Sequence, residues 1–244
     1  MLWFQEGVAG DSSGVGFTGR AGGVSDAPWD SLNLGSHVGD APEHVEQNRE
    51  RLAAHLRLEP HRVLYMNQVH SATVVHATGP WPDDQAPPQA DAMVTDTPDL
   101  ALVVLVADCV PVVLTSPEGV IGVAHAGRRG MDAGVVPAAV DAMRDLGATR
   151  VRAVLGPSIC PRCYEVPHDL RADVATRHPL SASVTYAGTP ALDVAAGVLA
   201  QLDGIADARQ LPGCTAERDD LYSYRRDGVT GRFAGVAWTG RGSE

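Results

Sequence analysis

One stretch constrains this chain more than any other: Leu102 to Gly130, LVVLVADCVPVVLTSPEGVIGVAHAGRRG. A β-branched run ends in Ala107-Asp108-Cys109, and a second apolar run, Val110 to Leu114, starts at once. A Pro-Glu-Gly turn leads into Val120 to Ala124, which delivers His125 to a glycine-flanked arginine pair. Short apolar runs bounded by turn residues read as strands. If Val110 to Thr115 pairs with Val120 to Ala124 across the turn, the pairing is antiparallel, and Cys109 falls opposite His125 or its immediate neighbour. Directly opposed side chains share a face with Cβ atoms about 4.5–5.5 Å apart. That spacing suits two ligands of one metal, or a thiolate beside its base. Pro111 points to an edge strand or a bulge, and a one-residue slip would put the two side chains on opposite faces.

Composition narrows the chemistry. The 244 residues are 44% hydrophobic, ample for a core, and the net charge of −11 argues against general binding to nucleic acid or acidic membranes. All nineteen basic residues are arginine. Without lysine there is no Walker-type phosphate loop and no Schiff base, so anion binding falls to arginine, backbone N–H groups or a metal. Arg20, set among glycines, has a fork suited to an anion. The N-terminus lacks a basic n-region and a long apolar run, no stretch reaches the length of a membrane span, and four cysteines read as reduced thiols. A cytoplasmic protein is expected. No internal repeat or composition break divides the chain, which reads as one mixed α/β domain over residues 1–244.

Taken in order, residues 1–40 form a strand near Val15 to Thr18 and then a long ordered loop. Asp40 with Glu43 suggests a capping box for a helix carrying Val45, Leu52 and Leu56, ended by Pro60. Strands follow at Val63 to Met66, Thr73 to Ala77 and Ala92 to Thr95, with a proline-rich surface excursion over Gly79 to Pro88. After the central stretch come a helix from Asp132 to Leu146 with Gly147 beyond its end, a buried strand over Val151 to Leu155, helices near Asp169 to Arg177 and Ala191 to Ile205, and a last strand, Arg232 to Trp238.

Two chemistries fit the central stretch. Cys109 and His125 could join a second histidine in a three-ligand zinc site with an open fourth position, or Cys109 could be a nucleophile with His125 as its base. Asp108 could orient a histidine in either scheme. The candidate second histidine is His70, which follows a strand beside Asn67 and Gln68. Cys160-x-x-Cys163 lacks the βαβ context of a redox pair and the second CxxC of a zinc ribbon, so it reads as structural or incidental. Arg225 and Arg226 read as a solvated strand end.

These residues resemble a known family, the YfiH-like laccase-domain proteins, also described as purine nucleoside phosphorylases or peptidoglycan editing factors. The resemblance runs through Phe17-Thr18-Gly19-Arg20, Ser31-Leu32-Asn33-Leu34-Gly35, Asn67-Gln68-Val69-His70, Ala90-Asp91-Ala92, Ala107-Asp108-Cys109, Ala124-His125-Ala126-Gly127, Cys163-Tyr164-Glu165-Val166 and Tyr224-Arg225-Arg226-Asp227. It implies an α+β fold of central mixed β-sheets flanked by helices, similar to the catalytic domain of cytotoxic necrotising factor. It also implies zinc held by His70, Cys109 and His125. The implied activities are phosphorolysis of adenosine, inosine and methylthioadenosine, with adenosine deamination; nucleoside and phosphate would be bound with help from Arg20, Asn33, Gln68, Asp108 and Arg129. Asp108 and Glu165 are candidate general acids. The alternatives are a Cys–His amidase editing a peptidoglycan precursor, a polyphenol oxidase, or a non-catalytic metal-binding protein. The chain has no His-x-His pair, which counts against the copper clusters of an oxidase. Two departures stand out: Arg128 replaces the family's tryptophan after Ala-His-Ala-Gly, and Cys160 replaces a glycine.

Overall fold

The apolar runs become strands buried on both faces, which is why they show no inside–outside alternation. The computed structural model describes residues 1–7, 14–82 and 84–240. One sheet has five strands, in the order β1 (Leu2–Gly7), β2 (Gly14–Thr18), β13 (Phe233–Trp238), β6 (Ala101–Val106) and β3 (Val63–Leu64). The other has six: β12 (Asp207–Gln210), β9 (Arg152–Leu155), β7 (Val110–Thr115), β8 (Ile121–Ala126), β5 (Ala92–Thr95) and β4 (Val74–His76). Each is mixed: β3–β6, β4–β5 and β9–β12 are parallel, and the remaining pairs are antiparallel. A small hairpin, β10 (Ala182–Val184) and β11 (Pro190–Leu192), stands apart.

The sheets pack face to face, and helices cover their outer faces. Along β6, Leu102, Val104 and Val106 enter the layer between the sheets, while Ala101, Val103 and Leu105 pack towards α1 (Pro42–Leu56). Along β7, Val113 faces inward, and Val110, Val112 and Leu114 meet α3 (Val135–Asp145) and α5 (Val194–Leu202). The short α2 (Arg128–Asp132), α4 (His168–Arg177) and α6 (Tyr224–Asp227) complete the α-helices of the described residues. None is long and apolar enough to cross a membrane. The expected α+β architecture of central mixed sheets flanked by helices is what the chain adopts.

Local readings differ in instructive ways. Asp40 does not cap α1; Ala41 holds that position and Pro42 opens the helix. The Asp40 carboxylate is drawn instead to Ser25 Oγ at 2.6 Å and Asn33 Nδ2 at 2.8 Å. The helix expected from Asp132 starts at Val135, because Gly134 adopts φ 79° and separates α2 from α3. Gly147 does end α3, with φ 96°. The segment expected to be helical from Ala191 begins as β11, and Asp193 then caps α5 by accepting from Ala196 N at 2.9 Å. Strands β1 and β12 had no sequence counterpart; both are edge strands with exposed or half-buried residues. The excursion over 79–88, apart from Asp83, which lies outside the described residues, is largely exposed, although Trp81 donates to Tyr65 O at 2.8 Å.

Candidate metal centre

The chain leaves the five-stranded sheet after Val106 and enters the six-stranded sheet at Val110, so Ala107-Asp108-Cys109 is the corner between them. Asp108 takes φ 97°, a conformation that costs a non-glycine residue on the order of 1–3 kcal/mol. Its carboxylate offsets the strain by accepting three bonds of 2.6 Å, from Thr215 Oγ1, Ser223 Oγ and Arg225 N. Asp108 therefore clamps the corner and touches neither histidine ring, contrary to the orienting role considered for it.

The β7–β8 register places Pro111, not Cys109, opposite His125. Cys109 lies two residues before Pro111. Because side chains alternate along a strand, that offset keeps its face the same as that of His125. Pro111 is tolerated inside the sheet for a local reason. His125 N donates to Asp91 O at 2.7 Å, away from β7, so no ladder bond is missing at this pair. On the other side β9 has already ended, and Gly156 N donates to Pro111 O at 2.8 Å.

Asp91 organises the centre. It is fully buried, immediately precedes β5, and by extension of the β5–β8 ladder lies opposite His125. Its carboxylate accepts from three successive backbone N–H groups: Val69 at 3.2 Å, His70 at 2.9 Å and Ser71 at 2.6 Å. It also accepts from Ser71 Oγ at 2.9 Å and is 2.9 Å from His125 Nδ1. The concave loop so formed holds His70 at φ 61°. Gln68 fixes the loop from behind, its amide paired with both backbone groups of Leu105 at 2.8 and 2.9 Å. Sequence reasoning assigned Asp91 no role; its only signal was the Ala90-Asp91-Ala92 motif.

The result is a convergent donor set. One ligand atom each from His70, Cys109 and His125 lies within 4.8 Å of the others, with Cys109 Sγ 4.0 Å from His70 Nε2. The two rings meet edge to face at 4.6 Å. Gly127 leaves the necessary space: a Cβ there would come 2.8 Å from Cys109 Sγ and 2.9 Å from His70 Cδ2. A sulfur and two imidazole nitrogens, one ring locked through its second nitrogen by a carboxylate, fit a divalent ion with a fourth position left open. In the bare chain, burial alone would push the Cys109 thiol up, but the facing His125 and His70 bring it down to about 6. Burial opposes the charge on His125 too, yet Cys109 and Asp91 raise it to about 9. Burial likewise works against Asp91, and the hydrogen bonds from His125 and Ser71 hold it well below the usual carboxylate range.

The other candidates divide. Asn33 is buried and saturated, accepting from Gly35 N and Arg232 N, both at 2.9 Å, and donating to Gly35 O and Asp40. Arg20 turns its fork to Asp30, with Nη2 2.8 Å from Oδ1, and lies over the Tyr222 ring at 5.2 Å. The hollow it lines contains none of the three ligands. Arg129 is exposed on α2; Glu165, beyond the Cys160–Cys163 turn, is also exposed, and its carbonyl accepts from Arg225 at 2.9 Å. The centre's electrostatic neighbours are others. Tyr164 interacts with Cys109 and Arg128, Arg232 with Cys109 and Asp108, and His37 with Arg232 and His125. Arg225 stacks on Tyr164 at 5.0 Å, and Arg226 donates to the carbonyls of Thr215, Arg218 and Leu221, so neither is a solvated strand end.

Fold and site together define a two-sheet α+β protein with a three-donor centre at the corner where the chain changes sheets. A family profile described as multi-copper polyphenol oxidoreductase laccase matches residues 14–240. A purine nucleoside phosphorylase of Streptomyces coelicolor is 54% identical over 228 residues, 91% of this chain and 94% of that protein. One from Streptomyces griseus is 53% identical over 232 residues, covering 93% and 94%. The crystal structure of the Bacillus licheniformis hypothetical protein YfiH superposes with a TM-score of 0.85 at 32% identity, covering 93% of this chain and 92% of that one. The chain belongs to this family, the YfiH-like laccase-domain proteins.

Proposed function

We propose that the protein is a zinc-dependent purine nucleoside phosphorylase acting on adenosine, inosine and methylthioadenosine, with adenosine deamination as a second activity. The observation that carries this reading is the convergence of His70, Cys109 and His125 around the gap at Gly127, with the second nitrogen of His125 fixed by buried Asp91. The choice of substrate leans on the Streptomyces relatives, which are named purine nucleoside phosphorylases. Zinc on these donors would supply a Lewis acid for a substrate oxygen and would lower the pKa of a bound water. In phosphorolysis a phosphate oxygen bonds to the ribose anomeric carbon as the bond from that carbon to the purine nitrogen breaks, and the base leaves with a proton. The chain's share is to bind the anion and to handle that proton. Arg128 and Arg232 carry charge next to the centre, and Arg129 stands one residue further along α2. Tyr164, which interacts with Cys109, and His37, which interacts with His125, are the candidate groups for that proton. Arg20 drops behind these because its fork is engaged with Asp30.

A second reading rests on a specific contact: Cys109, His125 and Asp91 also form a thiol–imidazole–carboxylate chain, the order needed by a Cys–His amidase acting on a peptidoglycan precursor. One experiment separates the two. Phosphate-dependent release of free base from adenosine and inosine, abolished by a chelator and restored by Zn²⁺, is expected. Metal-free protein that hydrolyses the precursor amide, losing that activity in Cys109→Ser, would establish the amidase instead. Absence of both activities would favour a non-catalytic metal-binding protein.

A further inference from the structure

Cys160, Cys163, Cys214 and Glu217 lie outside the site described so far, and one ligand atom from each lies within 4.8 Å of the others. We propose that they form a second metal site, a closed set of three sulfurs and one carboxylate for a zinc-class divalent ion. Two matching turns build it. Cys163 N donates to Cys160 O at 3.0 Å, and Glu217 N donates to Cys214 O at 3.1 Å, so each turn presents its first and fourth side chains together. The partner missing from the sequence as a second CxxC is thus a Cys-x-x-Glu. A parallel bridge between Ser158 and Cys214, with Thr215 N donating to Ser158 O at 3.1 Å, brings the turns face to face.

The spacings suit a tetrahedral ion. Glu217 Oε1 is 3.4 Å from Cys163 Sγ and 3.8 Å from Cys160 Sγ. Zinc bonds of about 2.3 Å to sulfur and about 2.0 Å to oxygen place those atoms roughly 3.5 Å apart. Cys160 N donates to Cys214 Sγ at 3.2 Å, the kind of backbone contact that steadies a thiolate on a metal. All three cysteines are free, and a disulfide would use only two of the converging sulfurs and leave Glu217 idle. Four donors leave no open position, so the ion is structural. It ties residues 158–165 to the 214–217 turn. Both segments grip the corner before Cys109, through Ile159 N to Asp108 O at 2.9 Å and Thr215 Oγ1 to Asp108 Oδ1 at 2.6 Å.

The test is metal stoichiometry on the full chain, stripped by a chelator, reloaded with Zn²⁺ and desalted. Two equivalents are expected in the unaltered protein and one each in Cys160→Ser/Cys163→Ser and in His70→Ala/His125→Ala. Loaded with Co²⁺, the histidine variant is expected to keep most of the thiolate-to-metal absorption, since three of the four thiolates remain. Alkylation of the unaltered protein gives a readout that needs no variant: Zn²⁺ should protect Cys160, Cys163 and Cys214 together. A histidine variant that retains no metal, alkylation of these cysteines unaffected by Zn²⁺, or a disulfide between any two of them in anaerobically purified protein would overturn the proposal.

Discussion

Among the described residues lie two cysteine-bearing clusters of unlike construction, and the contrast separates a reactive centre from a structural one. The first uses three donors, on a strand end, in a loop and at the sheet corner, with His125 and the His70 loop held from behind by buried Asp91 and the Gln68 amide and a glycine gap between the donors. The second uses four donors on two short turns, joined to each other by the bridge between Ser158 and Cys214 and by backbone hydrogen bonds. Three donors leave a position for substrate; four close the shell. Rigidity follows the same division: a reacting site needs its ligands fixed before the ion arrives, whereas a structural ion can itself order the turns that hold it. The two are joined through Asp108, which neighbours Cys109 in sequence and accepts from Thr215, the residue after Cys214.

That contrast can be broken experimentally, most forcefully at the first centre. Cys109→Ser or His125→Ala should remove its metal and reduce phosphorolysis to background, measured by base release beside metal analysis. Asp91→Asn keeps the shape but weakens the anchor on His125 and the 69–71 loop; a loss of about 10- to 100-fold in metal affinity or turnover is expected. In metal-free protein the lowered pKa keeps Cys109 a thiolate down to about pH 6, so its alkylation rate should stay high to that point and fall below it. His125→Ala should move that midpoint upward. Asp108→Ala strands three donors, and chemical denaturation should show a loss of about 1–3 kcal/mol. Thr215→Val removes one of those donors and should cost about 0.5–1.5 kcal/mol, the smallest of these effects and the one that measures the link between the clusters.

Much of the first centre was legible in the linear chain. The run that starts right after Cys109 and the run that carries His125 form the adjacent strands β7 and β8, and the parity of side chains along a strand is a property of the backbone. The expectation set Cys109 opposite His125 or its immediate neighbour; the register sets Pro111 there instead, and Cys109 and His125 still share a face because Cys109 precedes Pro111 by one strand period of two residues. His70 was found from its setting beside Asn67 and Gln68, although Gln68 and Asn33 prove to be joints of the scaffold.

What the chain alone could not settle was which distant groups meet. Asp91 reaches His125 only because β5 pairs with β8, a choice of strand neighbour that no local pattern encodes. Arg20 is turned to Asp30 by a fold-dependent loop, and Cys160-x-x-Cys163 acquires its partners from a turn 54 residues further on. Local periodicity follows from the geometry of each residue and survives in the sequence. Long-range convergence follows from how two sheets stack and in what order their strands lie, and only the tertiary structure supplies that.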